Sequence, residues 1–338
     1  MPIRYVLKHF HFCCGLGGGA KGFNQNKEVV GKLQAEWRCV GGVDVDAGAL
    51  KDFERLAGVP GTQMDLFTRE QYIAFHGKQP PADWREATPD DIRRAAGYQD
   101  PDVVFISSPC KGASGLLSEA LSLTPKYQAL NELTLRCVWL MCEAWQHNPV
   151  SLIVFENVPR LASRGRHLLD QIGQILEFFG YAVSETTHDC GELGGLAQSR
   201  KRFLLVARHV EKVPPFLDNG RWSVADPRMP AANDRLTCVI RSLDGTWHRP
   251  FTTLEMAALQ SLVDPEEMLE LDGLSDQAWR ERIGNAVPPK AAEAIAGVMA
   301  QTILLAKQGE TFLLSHMPVW VRPVAVGLSL ANHLDNAA

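Results

Sequence analysis

Short apolar runs alternate with amphipathic segments through the first two-thirds of the chain, and this alternation narrows the fold more than any other feature. A strand is expected near residues 5–13, a helix from about Ala20, a strand at RCVGGVD and a helix from Ala47. After a polar stretch rich in Pro, Asp and Arg (79–101), the apolar run DVVFI precedes NELTLRCVWLMCEAWQH, whose apolar residues recur at helical spacing. VSLIVFENV reads as another strand, GRHLLDQIGQILEFFG as a helix closed by a glycine, and RFLLVARH as a further strand. Continuous apolar strands are buried on both faces, and their regular exchange with helices is the βαβ pattern. The expected fold is therefore α/β, a doubly wound and mostly parallel sheet. From His209 to about Trp247 the alternation stops, and Pro214, Pro215, Pro227 and Pro230 mark an inserted or separate small region. TTLEMAALQSL and PPKAAEAIAGVMAQTILLA then read as helices, the second with prolines at its start, where they are tolerated.

Open α/β sheets place their chemistry at the carboxyl ends of the strands. In FISSPCKGAS the proline must end the strand, which puts Cys110 at such an end. A free cysteine most often packs as a small hydrophobe, so the choice is between buried spacer and nucleophile. Glu156 in FENVPRL follows an apolar run and lies on the same edge as Cys110 if the two strands are parallel. A carboxyl group there is costly unless it is functional or held in a structural ion pair with an arginine. Arg200 and Arg202, in AQSRKRFLLVA, share one face if the segment is extended. The glycines of CCGLGGGAKGF allow a tight turn and close approach to a ligand at a helix N-terminus. Asp44, after the second apolar strand, suits the two hydroxyls of a ribose, while Asp46 suits a helix cap. A nucleoside-bearing cofactor is expected, and NAD, flavin and adenosylmethionine all fit.

With 338 residues, 46% of them hydrophobic, the chain can build one large domain plus a smaller one. A net charge of −5 argues against a generally basic nucleic-acid coat, so any such binding must use a local patch. The eight cysteines show no CxxC pair and no zinc-like spacing; no disulfide and no metal are expected. No signal peptide opens the chain and no apolar stretch is long enough to span a membrane, which fits a cytoplasmic protein.

Taken in order, the Gly-rich turn, the acid after strand two, Pro-Cys, Glu-Asn-Val, Gln-x-Arg-x-Arg and Gly-Asn-x-Val resemble the motif series of the cytosine-5 DNA methyltransferases. RPFTTLEMAALQSL is similar to a helix-opening motif of the same family. The resemblance implies a Rossmann-like class I methyltransferase fold. It places a catalytic and cofactor-binding domain at 1–208 plus 284–338, and a reduced target-recognition region with connecting helices at 209–283. It implies S-adenosylmethionine as methyl donor and DNA as partner, with the base flipped into the pocket and a bacterial or phage-encoded origin.

By the same resemblance Cys110 adds to carbon 6 of cytosine, Glu156 meets N3, and Arg202 holds the ring O2 with Arg200 nearby. Gly15, Gly17 and Gly18 belong at the methionine moiety, Asp44 at the ribose, and Asp65 with Leu66 at the adenine, with Leu16 and Val45 in the same cofactor set. Pro109, Asn285 and Val287 complete the cofactor set. Lys111, Ser114, Gln198, Arg221, Arg228, Arg235 and Arg241 are the expected nucleic-acid contacts, with Trp222 and Trp247 for stacking, and residues 111–130 form the closing loop. The same chemistry on RNA or single-stranded DNA is a second reading. A non-catalytic binding paralogue is a third, disfavoured because Cys110, Glu156, Arg200 and Arg202 are all present.

Three departures stand out. The family's usual Asp-Leu-Phe opening is here His11-Phe12-Cys13. Lys111 replaces the usual glutamine after the cysteine, and serves a phosphate, the thiol or an acidic group on an unusual donor or base. Only about forty residues separate Gln-x-Arg-x-Arg from Arg-Pro-x-Thr, too few for an extensive core of their own. Sequence recognition is therefore expected to be short, or supplied by a partner chain or by the tail PVWVRPVAVGL.

Overall fold

The computed structural model describes residues 2–109, 119–196, 198–213, 239–241, 247–263 and 275–308. Strand β1 (Ile3–Phe12) runs into the interior and ends where Cys13 adopts a left-handed conformation, φ 51°. Helix α1 (Gly18–Gln25) follows, and a hairpin with Gly31 at φ 57° then joins β2 (Lys27–Val30) to β3 (Leu33–Asp44). β3 pairs in parallel with β1 along its length, so RCVGGVD is the second half of a longer strand. Next come α2 (Ala47–Ala57), the short β4 (Thr62–Gln63), α3 (Arg69–His76) and α4 (Pro89–Ala95). The polar stretch thus holds a helix: Thr88 and Asp91 form a reciprocal cap that starts α4, as Thr68 and Gln71 do for α3.

The second half of the sheet begins with β5 (Val103–Ile106), every residue of which is buried. Helices α5 (Glu119–Ser122) and α6 (Pro125–Ala144) lead to β6 (Leu152–Asn157), then α7 (Leu161–Arg164) and α8 (Arg166–Phe178). β7 (Tyr181–Asp189), α9 (Cys190–Gly194) and β8 (Lys201–His209) close it. Among the described residues eight strands form one sheet in the order β2-β3-β1-β5-β6-β8-β7, with β4 beside β3. β3, β1, β5 and β6 are parallel, while β8 lies antiparallel between β6 and β7. This is a mostly parallel, Rossmann-like α/β sheet.

Alternation along the strands divides the core into two layers. Phe10, Phe12, Val104, Ile106 and Phe155 face α3, α4, α6 and α8. Leu7, Val103, Phe105, Val154 and Leu204 face the other side, where α1 is joined by α12, the last helix among the described residues. Before it come a two-stranded antiparallel sheet, β9 (Val239–Arg241) with β10 (Trp247–Pro250), and helices α10 (Thr253–Leu259) and α11 (Asp276–Asn285). α12 (Pro289–Gln308) lies against α1 so closely that a Cβ on Gly22 would stand 2.2 Å from the Pro289 carbonyl oxygen. Ala257, Leu262, Val263 and Ile283 pack with Leu16 and Leu56, which ties α10 and α11 to the Gly-rich turn. Among the described residues no helix is long and apolar enough to cross a membrane, and no cysteine is in a disulfide.

Candidate active site

β5 and β6 are parallel, with Ile106 opposite Phe155, so Ser107–Pro109 and Glu156–Val158 leave the sheet at one edge. β8 runs the other way and sets Leu204 opposite Glu156, which brings Arg202 to the end of β6. Glu156 is buried, and both its oxygens are engaged: Arg202 Nε donates to Oε1 at 2.8 Å and the Ser107 hydroxyl to Oε2 at 3.0 Å. The ion pair expected as the structural alternative for Glu156 therefore exists, and its partner, Arg202, is another of the candidate catalytic residues. Asn157 braces the same edge, donating from Nδ2 to the Ser108 carbonyl at 3.4 Å and accepting from the Val158 N–H at 2.8 Å. Pro109 is exposed at the exit of this edge. Cys110, Lys111 and Ser114 lie outside the described residues, as do Arg221, Trp222, Arg228 and Arg235.

Arg200 is placed differently from Arg202. Its Nη1 donates to the Gly284 carbonyl at 2.7 Å, which links the Gln-x-Arg-x-Arg segment to α11. Asp189 shapes that segment: its carboxylate accepts from the Arg200 N–H (2.8 Å), the Gly191 N–H (2.9 Å) and the Ser199 hydroxyl (2.6 Å). Burial pushes the Asp189 carboxyl up, but these three donors outweigh it and the net direction is down. Gln198 is half-buried, with no hydrogen-bond partner for Nε2 among the described residues, and Arg241 lies in β9.

At the carboxyl ends of β1 and β3, Asp44 accepts from the Gly15 N–H at 2.8 Å and from the Asp46 N–H at 3.0 Å. Burial still pushes its carboxyl up, against those two donors. Asp46 caps α2 by accepting from Gly48 N and Ala49 N, as its position suggested. Gly15 (φ 51°) and Gly17 (φ 95°) take left-handed conformations, and a Cβ on Gly15 would meet nothing within 4 Å, so the turn faces open space. A Cβ on Gly18 would stand 2.3 Å from the Val287 carbonyl oxygen, which brings the distant Gly-Asn-x-Val corner to this turn. Leu16, Leu66 and Val287 are buried, whereas Asn285 is exposed and Val45 is 64% exposed beside Asp44.

Asp65 accepts from the Phe67 N–H at 3.0 Å and from the Trp84 indole N–H at 3.1 Å, at the rim of a cleft of about 530 Å³. A desolvated carboxylate beside an open glycine turn, with an exposed apolar flank, is a donor and acceptor set that fits a nucleoside with a charged tail. The variant opening also has a place in the fold. Phe12 is fully buried, and the Cys13 thiol is pushed up by its hydrogen bond with Cys137 and by burial.

Sequence reasoning missed four residues. Ser107 was quoted only as part of a strand end, and Asp189 signals itself only as an acid before a Cys-Gly helix start. Trp84 sits in the polar stretch that hid a helix. Arg282 pairs with Asp46 at 3.0 Å and with buried Asp52 at 3.5 Å, a connection across 236 residues that no local pattern announces.

A family model described as C-5 cytosine-specific DNA methylase matches residues 7–248. No curated protein sequence matches the chain. Among solved structures it is similar to the Entamoeba histolytica methyltransferase EhMeth, at 14% identity and TM-score 0.57, covering 87% of this chain and 98% of that one. It is also similar to the S. pombe Dnmt2 methyltransferase, at 15% identity and TM-score 0.52 over 90% and 100% of the two chains. A putative DNA modification methyltransferase from an E. coli prophage matches at 13% identity and TM-score 0.53, over 88% and 99%. At these identities the structural likenesses speak for the fold.

Proposed function

The chain belongs to the C-5 cytosine-specific DNA methylase family, and from that premise we propose that it methylates carbon 5 of cytosine in DNA through a covalent adduct on Cys110. The single observation that carries this reading is the ion pair of buried Glu156 with half-buried Arg202 at the strand edge whose next residue beyond Pro109 is Cys110. Carbon 5 of cytosine is a poor nucleophile, so a thiolate must first add to carbon 6. The new S–C6 bond pushes electrons through the ring toward N3. In this reading Glu156 takes up a proton from solvent as the base enters, donates it to N3 and accepts from the exocyclic amine, while Arg202 holds O2. Ser107 keeps the second oxygen of Glu156 oriented. Once carbon 5 has been alkylated, loss of its proton to a base expels the Cys110 thiolate and restores the aromatic ring.

S-adenosylmethionine would supply the methyl group. The Gly15–Gly18 turn would take its methionine end, Asp44 its ribose hydroxyls, and Val45 with Asp65 and Leu66 its adenine. Asp44 is prepared for that role by its place at the strand end and by its desolvation, since two hydroxyl donors relieve a carboxylate that burial disfavours. A base inside a duplex exposes neither ring face, so the target must swing out of the stack.

The test is to supply labelled S-adenosylmethionine with duplex DNA, single-stranded DNA or RNA, and to sequence the modified positions. Label at carbon 5 of cytosine in duplex DNA is expected. Duplex DNA carrying 5-fluorocytosine should leave a denaturation-resistant complex that disappears in Cys110→Ser. Label confined to RNA would move the substrate, and trapping that persists without Cys110 would remove the nucleophile.

A further inference from the structure

Beneath the Gly-rich turn, on the face of β1 covered by α1, three metal-ligating side chains converge in the core. His9 and His11 share that face by the strand's period of two, and Cys39 on β3 is the register partner of His9. Their exposures are 0%, 2% and 3%, and one ligand atom from each lies within 4.8 Å of the other two. The arrangement bears on neither the strand-edge carboxylate nor the proposed nucleophile.

The hydrogen bonds fix how these groups point. Asn24 Nδ2 donates to the Ala57 carbonyl at 2.8 Å, so its Oδ1 is the acceptor for His9 Nε2 at 2.9 Å. His9 therefore carries its hydrogen on Nε2 and turns a bare Nδ1 into the cluster, where His11 Nε2 lies 2.7 Å away. The same Asn24 oxygen accepts from the Cys39 N–H at 3.2 Å, which ties the thiol-bearing strand to this arrangement. An amide that orients both a ligand imidazole and a ligand backbone is what an outer coordination sphere supplies. The rings of Phe23, Trp37 and Phe105 surround the pair of imidazoles and give an apolar shell.

We propose that His9, His11 and Cys39 form a three-ligand site for a single Cu(I) ion. Charge selects the ion. Two neutral imidazoles and one thiolate carry a single negative charge, which a monovalent cation cancels, whereas a divalent ion would leave a net charge in an apolar shell. Softness agrees, since thiolate ligands favour Cu(I) and imidazole accepts it. Zinc would also call for a fourth ligand, and the described residues supply three. On binding, Cys39 loses its thiol proton to solvent and His11 moves its ring hydrogen from Nε2 to Nδ1, with no change of oxidation state. Two nitrogen–metal bonds would replace the imidazole–imidazole hydrogen bond.

The test uses the full chain, purified in reducing buffer without oxygen and titrated with Cu(I) held by a coloured chelator. One Cu(I) per chain should be withdrawn from the chelator, and X-ray absorption of that sample should show two nitrogen and one sulfur neighbours. Cys39→Ser and His11→Phe should lose the uptake, while Cys142→Ser, which removes a buried thiol outside the cluster, should keep it. Circular dichroism checks that the variants fold, and the absorption spectrum of the unaltered protein decides without them. No withdrawal from the chelator, undiminished uptake in Cys39→Ser, a sulfur-only coordination sphere, or tighter retention of Zn(II) than of Cu(I) would each overturn the proposal.

Discussion

At Glu156 one carboxylate answers to two donors of unlike strength, a guanidinium at 2.8 Å and a serine hydroxyl at 3.0 Å. Glu156→Gln keeps the shape but cannot pass a proton toward N3, so turnover should fall by roughly 10²–10⁴-fold in a labelled-methyl assay. Ser107→Ala removes only the orienting bond. Its turnover should drop by about 10–100-fold, the scale of a hydrogen bond to a charged group (about 1.5–3 kcal/mol), with the fold intact by circular dichroism. Asp44→Ala should weaken S-adenosylmethionine and its demethylated product together, by about 1.5–3 kcal/mol in calorimetry. Because Asp44 also receives the Gly15 N–H, hydrogen exchange at Gly15 should quicken in the same variant. Glu156 draws notice in the sequence because a charge at the end of an apolar run is costly and asks for a reason, and Arg202 because it shares a face with Arg200 just before a strand. Ser107 and Asp189 do not, because serine and aspartate occur at any strand end or helix start, and only the folded register shows what they touch.

Among the elements, those that bury a continuous apolar run were readable and those at the margins were not. β5 and β6 are wholly buried and stand out as DVVFI and LIVFEN. β7 lies at the sheet edge with most of its residues partly or fully exposed, so YAVSETTHD carries no apolar run to read. β2 is four residues long and depends on its hairpin with β3, and α4 is short enough that its cap says more than its periodicity. The contact between α1 and α12 makes a prediction at this scale. A methyl on Gly22 would stand 2.2 Å from one backbone oxygen and 2.6 Å from the Ala292 side chain, and backbone cannot yield as a side chain can. Gly22→Ala should destabilise the protein by about 1–3 kcal/mol, read as a lower midpoint in denaturant, as overpacking does in a filled core.

In the molecule as a whole, the buried imidazoles set how it meets acid. Burial lowers His9 to about 4 and holds His11 below its ordinary value as well. An unfolded histidine takes its proton near pH 6.5, so between that value and about 4 the unfolded chain binds more protons than the folded one. Stability should therefore be fully present above pH 6.5 and fall steadily as the pH drops toward 4. Melting temperatures of the metal-free protein at pH 7, 5.5 and 4.5 check this, and a curve that stays flat there would mean that the imidazoles are not neutral in the fold.

The seam between α1 and α12 also sets a timetable. About 260 residues separate Gln25 from Pro289, and a ribosome adding about 5–20 residues per second needs roughly 10–50 s to cross that interval. All that while α1 waits for α12 without its cover. At the point of closest approach it exposes little, because Gly22 has no side chain to offer a chaperone or a neighbouring nascent chain, and Phe23 beside it is the apolar group left to cover. The glycine that admits α12 so closely leaves the unfinished protein little to stick by at that spot.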